Sequence, residues 1–177
     1  YASDFNSGDT PEWNSNRPDI KLKNGVLALY GNESHGTNYA LQSPIARERV
    51  RIEFDAIIPP ASGKLGDISP FIHSNGKFDQ GYLLMFGSNG NARNRLMRNM
   101  QENGKFNTKL LLEKNKKYHF VAEQDNGRVR LIVNDVVIHD FTDPSPLSGT
   151  DKLMPNGKVG IYNCNKILYI DNFRMYK

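Results

Sequence analysis

Charged and apolar residues alternate without a break along Arg49-Val50-Arg51-Ile52-Glu53-Phe54-Asp55-Ala56, a period of two that predicts a half-buried β-strand over residues 49–57. The even positions Val50, Ile52, Phe54 and Ala56 belong to a core. The odd positions Arg49, Arg51, Glu53 and Asp55 belong to a face turned away from it. Pro59 and Pro60 close the strand, because proline cannot donate to a ladder. The same grammar predicts strands over residues 25–30, 39–42, 67–73, 82–86, 117–123, 128–133, 136–141, 158–163 and 167–176, with a less regular one over 94–101. Asn126-Gly127 and Asn134-Asp135 separate three of these runs. Such residues accept the positive φ of a tight turn, so two hairpins in succession are expected. Residues 109–116 (KLLLEKNK) come nearest to helical periodicity but are short, and residues 143–155, rich in Pro, Ser and Gly, read as a long surface loop. About a dozen short strands with turn residues between them predict an all-β chain folded as a two-sheet antiparallel β-sandwich, one domain over residues 1–177.

Composition changes this picture little. With 177 residues, 38% hydrophobic and 24% charged, the chain can bury a core and is too apolar for disorder. A net charge of +4 is too small to name a partner. The acids are interspersed with the bases and no nucleic-acid-binding motif is present, so no nucleic-acid partner is expected. A single cysteine, Cys164, excludes an internal disulfide framework, and His35, His119 and His139 lack zinc-ligand spacing. The chain opens at Tyr1 and holds no apolar run long enough for a membrane span. A mature or excised chain of a secreted, periplasmic or cell-surface bacterial protein is expected.

Three stretches resemble a known family. Asp4-Phe5-Asn6-Ser7 followed by Trp13 is similar to the opening of concanavalin-A-like bacterial domains, and residues 169–176 (YIDNFRMY) to their last strand. His119-Phe120-Val121-Ala122 with Asp125-Asn126-Gly127-Arg128-Val129-Arg130-Leu131 and Asn134-Asp135 resembles the hairpin of laminin-G-like jelly rolls. Gly157-Lys158-Val159-Gly160-Ile161-Tyr162 resembles their penultimate strand. The resemblance implies a jelly roll that holds a glycan. It also implies a structural calcium tying first strand to last through Asp171, with Asp4 or a nearby carbonyl, the alternative being that Asp171 only caps a turn. Trp13 is then either a sugar platform or packing at the sandwich edge.

Glycosidases of this fold carry E-x-D-x-x-E on one strand. Glu53-Phe54-Asp55 starts that pattern, but residues 56–66 contain no acid, which argues against it. Alginate-lyase-type enzymes show a weaker similarity, through residues 47–53, then Phe71-Ile72-His73, then residues 158–163. β-Elimination needs a base, an acid and a neutraliser for a uronate carboxylate. Tyr162 and His73 would be the catalytic pair, with Arg49 or Arg51 as charge partner. Phe71 and Cys164 depart from that pattern where glutamines are expected. A binding module asks for less, namely planar polar side chains on one face. Arg49, Arg51, Glu53, Asp55, His73, Lys158 and Tyr162 are candidates, joined by Arg93, Arg95 and Arg98 from the run NARNRLMRN, whose forks suit carboxylate, sulfate or vicinal hydroxyls. The expected partner is a polysaccharide or oligosaccharide with a leaning toward uronate or sulfated glycans. The alternatives are a small polysaccharide lyase and a structural or adhesion domain.

Overall fold

The computed structural model describes residues 1–6, 13–15, 20–31, 36–41, 49–103, 109–147 and 157–176. His35, Gln42, Arg47, Glu48 and residues 148–155, all used above, lie outside this set.

The strands are β1 (Ala2–Ser3), β2 (Trp13–Ser15), β3 (Ile20–Lys23), β4 (Val26–Tyr30), β5 (Thr37–Leu41), β6 (Arg49–Ile57), β7 (Ile68–Ser74), β8 (Tyr82–Gly87), β9 (Arg93–Arg98), β10 (Gln101–Asn103), β11 (Lys117–Asp125), β12 (Arg128–Val133), β13 (Val136–Thr142), β14 (Lys158–Asn163) and β15 (Ile167–Tyr176). They form two antiparallel sheets. An eight-stranded sheet runs β13-β12-β11-β6-β15-β4-β3, with β1 also pairing β15, and a seven-stranded sheet runs β10-β9-β8-β7-β14-β5-β2.

The alternation in β6 is observed as expected: Val50, Ile52, Phe54 and Ala56 are buried while Arg49 and Arg51 are exposed. Both expected hairpin turns form. Asn126 and Gly127 have φ of 48° and 88°, and Asn134 and Asp135 have 48° and 63°. These left-handed pairs match the twist of the flanking strands. The irregular stretch over 94–101 proves to be two strands, because Asn99 and Met100 both take positive φ and fold β10 back on β9. Residues 109–116 make no helix. Their apolar side chains are used as a strap, with Leu112 buried in the core.

The two inner faces share one core. Phe54 and Phe120 stack at 4.9 Å within the eight-stranded sheet, and Phe86 of the opposite sheet meets Phe120 edge-on at 5.7 Å. Trp13 is 5% exposed and packs edge-on against Phe173 at 4.8 Å, so it seals the core edge and offers no open face for stacking a sugar. Polar side chains also cross between the sheets. His73 Nε2 lies 2.8 Å from Gln124 Oε1, His139 Nε2 donates to the Met85 carbonyl at 3.1 Å, and Asp143 accepts from Tyr82 Oη at 2.7 Å and Arg98 Nε at 2.6 Å.

Candidate functional site

The outer face of the eight-stranded sheet carries a groove-like surface that the expected residues help to build. β6 lies between β15 and β11 in fixed register. Arg51 stands between Tyr176 and Glu123, Glu53 between Arg174 and Val121, and Asp55 between Asp171 and His119. The register of β15 against β6 shifts between Asp171 and Arg174, with Asn172 at φ 50°. Such a bulge re-aims side chains, and here it turns the Asn172 amide onto β6.

Asp55 is the hub. Its carboxylate accepts from Lys117 Nζ at 2.7 Å and Asn172 Nδ2 at 2.8 Å, and lies 2.9 Å from His119 Nδ1. Partial burial acts to raise its pKa, but the bonds from Lys117, Asn172 and His119 outweigh burial and hold it below the usual carboxylate range. The charged form is therefore fixed in place. Beside it lies an open depression of about 260 Å³ lined by Glu53, Asp55, His119, Asn172 and Arg174. A second, of about 370 Å³, shares Asn172 and Arg174 and extends over β1 past Asp4. A third, of about 150 Å³, lies around Arg49, Arg51, Glu123, Asp125 and Tyr176.

Most charges on this face are matched. Arg49 Nε meets Asp125 at 2.8 Å, Arg51 binds Glu53 and reaches Glu123 at 3.4 Å, Arg130 binds Glu123, and Arg128 meets Asp140 at 2.5 Å. Exposed pairs of this kind add little stability, and their main effect is to hold the side chains in position.

The structure does not gather the remaining candidates here. β7, β9 and β14 belong to the other sheet, so Lys158, Tyr162, Arg93 and Arg95 cannot share a face with Arg49, Arg51, Glu53 and Asp55. Tyr162 packs on Phe78 at 4.4 Å on the outer side of the seven-stranded sheet. Arg95 is paired with Glu102 at 2.7 Å, and Arg98 is held by Asp143 and the Ser145 carbonyl. His73 faces neither outer surface. It takes φ 51° beside a register shift, and its ring turns into the core. The single expected surface thus separates into three places, because alternation tells inside from outside but not which sheet a strand joins. Gly160, in the Lys-x-Gly-x-Tyr run, is required by packing: a Cβ there would sit 2.2 Å from the Tyr39 carbonyl oxygen and 2.4 Å from the Phe71 ring.

Alternation alone leaves out Lys117, His119, Asn172, Arg174 and Tyr176. Their outward phase is visible in β11 and β15, but their neighbourhood to β6 is not. Asp4 and Asp171, the residues implied for a calcium, each make a local hydrogen bond. Asp4 Oδ1 accepts the Asn6 N–H at 3.1 Å, and Asp171 Oδ1 accepts the Asn172 N–H at 2.7 Å. No group of three or more His, Cys, Asp or Glu suited to a metal occurs among the described residues, whereas calcium takes six to eight oxygens. Asp171 caps the bulge.

Replacing Asn172 by alanine should cost about 1 kcal/mol of stability, since alanine resists positive φ and the Asp55 bond is lost. Asn172→Gly, which keeps the backbone, should cost less. Urea denaturation of both variants tests this, and an equal loss would show that φ at Asn172 is unstrained.

No family model and no curated protein matches the chain. Among solved structures, a carbohydrate binding module, CBM66 from Bacillus subtilis, superposes with a TM-score of 0.70 at 14% identity, over 94% of this chain and 96% of that one. The exoplasmic/lumenal domain of VIP36, described with Ca²⁺ and Man3GlcNAc bound, gives 0.66 at 10% identity over 94% and 84%. The alginate lyase Aly36B, in complex with an alginate tetrasaccharide, gives 0.58 at 13% over 100% and 93%. At these identities the likeness is one of fold. The chain has the fold of a two-sheet antiparallel jelly roll, the architecture shared by these three structures.

Proposed function

We propose that this domain binds a glycan on the outer face of its eight-stranded sheet, outside the cell, as a module in recognition or breakdown of polysaccharide. The supporting observation is the Asp55 hub: a carboxylate fixed by Lys117, His119 and Asn172 at the wall of an open, polar depression. Sugar hydroxyls are read by directional hydrogen bonds, and donors and acceptors already held in place lose little entropy on binding. A calcium ion is not needed for this arrangement, because the side chains hold one another. Structures named for carbohydrate binding share the architecture, which agrees with the reading.

In its finer form the reading takes the glycan to be acidic. Arg49, Arg51, Arg95 and Arg98 no longer support that leaning, since each already meets a carboxylate. Its support is Arg174, whose exposed guanidinium has no side-chain ion pair or hydrogen bond among the described residues. The lyase alternative gains nothing from the geometry. Burial, the contact with Cys164 and the nearby Asp67 push the Tyr162 hydroxyl well above its usual pKa, the wrong direction for a base, and His73 is enclosed between the sheets.

Affinity electrophoresis on neutral polysaccharides and on uronate and sulfated ones tests the reading. Retardation on at least one is expected, with loss of about tenfold in affinity on Asp55→Asn. No retardation on any would leave a structural or adhesion role. Equal retardation on a uronate polymer and its carboxyl-reduced form would remove the acidic preference alone.

A further inference from the structure

The shape of this face bears on how a glycan lies across it. Side chains of β15, β6 and β11 stand in successive rows: Asp171 with the bulged Asn172, Asp55, His119; then Arg174, Glu53, Val121; then Tyr176, Arg51, Glu123. From Asp55 to Arg49 the strip runs about 20 Å along β6, while its three strands span about 10 Å. Depressions occupy both of its ends, at Asp55–Arg174 and at Arg51–Tyr176. Between them lie Arg51 on Glu53 and Tyr176 Oη, 3.4 Å from Glu53 Oε2. Val121 forms an outward-facing apolar floor in the middle row, beside Ile132 of β12.

Two side chains on β15 stand out from this matched surface. Arg174 is exposed, and among the five arginines of the face (49, 51, 128, 130 and 174) it alone lacks a carboxylate among the described residues. Tyr176 is 45% exposed, and its hydroxyl lies 3.4 Å from Glu53 Oε2, so its ring is open to a ligand. The two lie two residues apart on one strand, on the same side. An aromatic ring held open beside polar groups suits the apolar face of a sugar.

We propose that the face takes an internal stretch of a linear polysaccharide lying lengthwise along β6, and not a single terminal sugar. Arg174 donates hydrogen bonds to hydroxyl or acid oxygens in the depression beside Asp55, and the Tyr176 ring, one row further along the strip, carries a neighbouring sugar in the depression around Arg51. This rests on the glycan reading above. A site for one terminal unit is a compact hollow. Here the hollows are open and lie in line, and each holds one contact left for a ligand, Arg174 in one and the Tyr176 ring in the other.

Calorimetric titration with oligogalacturonides and with cello-oligosaccharides, from di- to hexasaccharide, tests the assignment. Affinity in the better series should climb by at least about tenfold between the shortest and longest members. Arg174→Ala and Tyr176→Ala should each lower hexasaccharide affinity about tenfold and flatten the dependence on length, with unchanged urea midpoints. A disaccharide that binds as tightly as a hexasaccharide would overturn the proposal, as would variants that leave the hexasaccharide unaffected. Failure of both series to bind overturns it too. In that case retardation on some other polysaccharide keeps the broader glycan reading, and no retardation at all removes both.

Discussion

Alanine at position 143 should destabilise the sandwich by about 3 kcal/mol, because it strips a buried acceptor from three donors at once. The Asp143 side chain is 4% exposed and lies just beyond β13 of the eight-stranded sheet. It accepts from Tyr82 Oη at 2.7 Å and Arg98 Nε at 2.6 Å, both on the seven-stranded sheet, and from the Ser145 N–H at 2.9 Å in its own loop. Without it, Tyr82 Oη keeps only its role as acceptor from the Leu147 N–H, and the charged Arg98 head keeps only the Ser145 carbonyl. Tyr82→Phe leaves the carboxylate satisfied by Arg98 and the Ser145 N–H but takes the acceptor from the buried Leu147 N–H, so about 2 kcal/mol is expected there. Urea midpoints of the two variants and the double mutant measure the coupling. A loss below about 1 kcal/mol for Asp143→Ala would mean that loop and sheets are held together by apolar packing alone.

This network marks the boundary of what alternation can tell. β6 is legible almost to the residue, since eight positions of strict period two, Arg49 to Ala56, admit only one phase. The hairpins at Asn126-Gly127 and Asn134-Asp135 are equally legible, because few residue pairs tolerate two successive positive φ values. Sheet membership is not legible, since β6 and β14 read alike on the page yet belong to opposite sheets. That is why Arg49, Arg51, Glu53 and Asp55 emerge as an outward row while their expected neighbours Lys158 and Tyr162 do not join them. His73 fails for a local reason, a left-handed backbone at a register shift, which reverses the facing that period two assigns. Arg98 fails through its partner. An arginine with a fork free for a ligand and one whose fork already grips Asp143 look the same in sequence. The site is therefore half legible. β6 announces its own outward residues, while Asn172, Arg174, Tyr176 and His119 enter only through the strand order β11-β6-β15.

The second large effect is a loss of stability in mild acid. His139 lies on β13 with its ring between the sheets, 1% exposed, donating to the Met85 carbonyl. Burial drives its pKa down from 6.5 to about 4, with the Met85 bond opposing only weakly. A histidine whose folded pKa is depressed is neutral in the native state while the unfolded chain takes up the proton. Stability is therefore intact above the unfolded value of 6.5 and drains away as pH falls toward about 4. The drop from this residue alone is about 3 kcal/mol. His73 acts with the same sign, its pKa lowered by burial against the raising effect of Gln124. Asp67 acts oppositely, because burial raises its pKa and the native state accepts its proton more readily. Asp55 and Asp140, held below the usual carboxylate range, add losses only at lower pH. His139→Gln removes the titrating ring and keeps a neutral donor within reach of Met85, while every other group is common to both proteins. Urea denaturation at steps between neutral pH and about 4 should show the wild-type midpoint falling away from that of the variant, by a difference worth about 3 kcal/mol at the acid end. If the two midpoints run parallel across that range, His139 is solvated or protonated in the native state, and the polar seam between the sheets is wetter than its geometry implies.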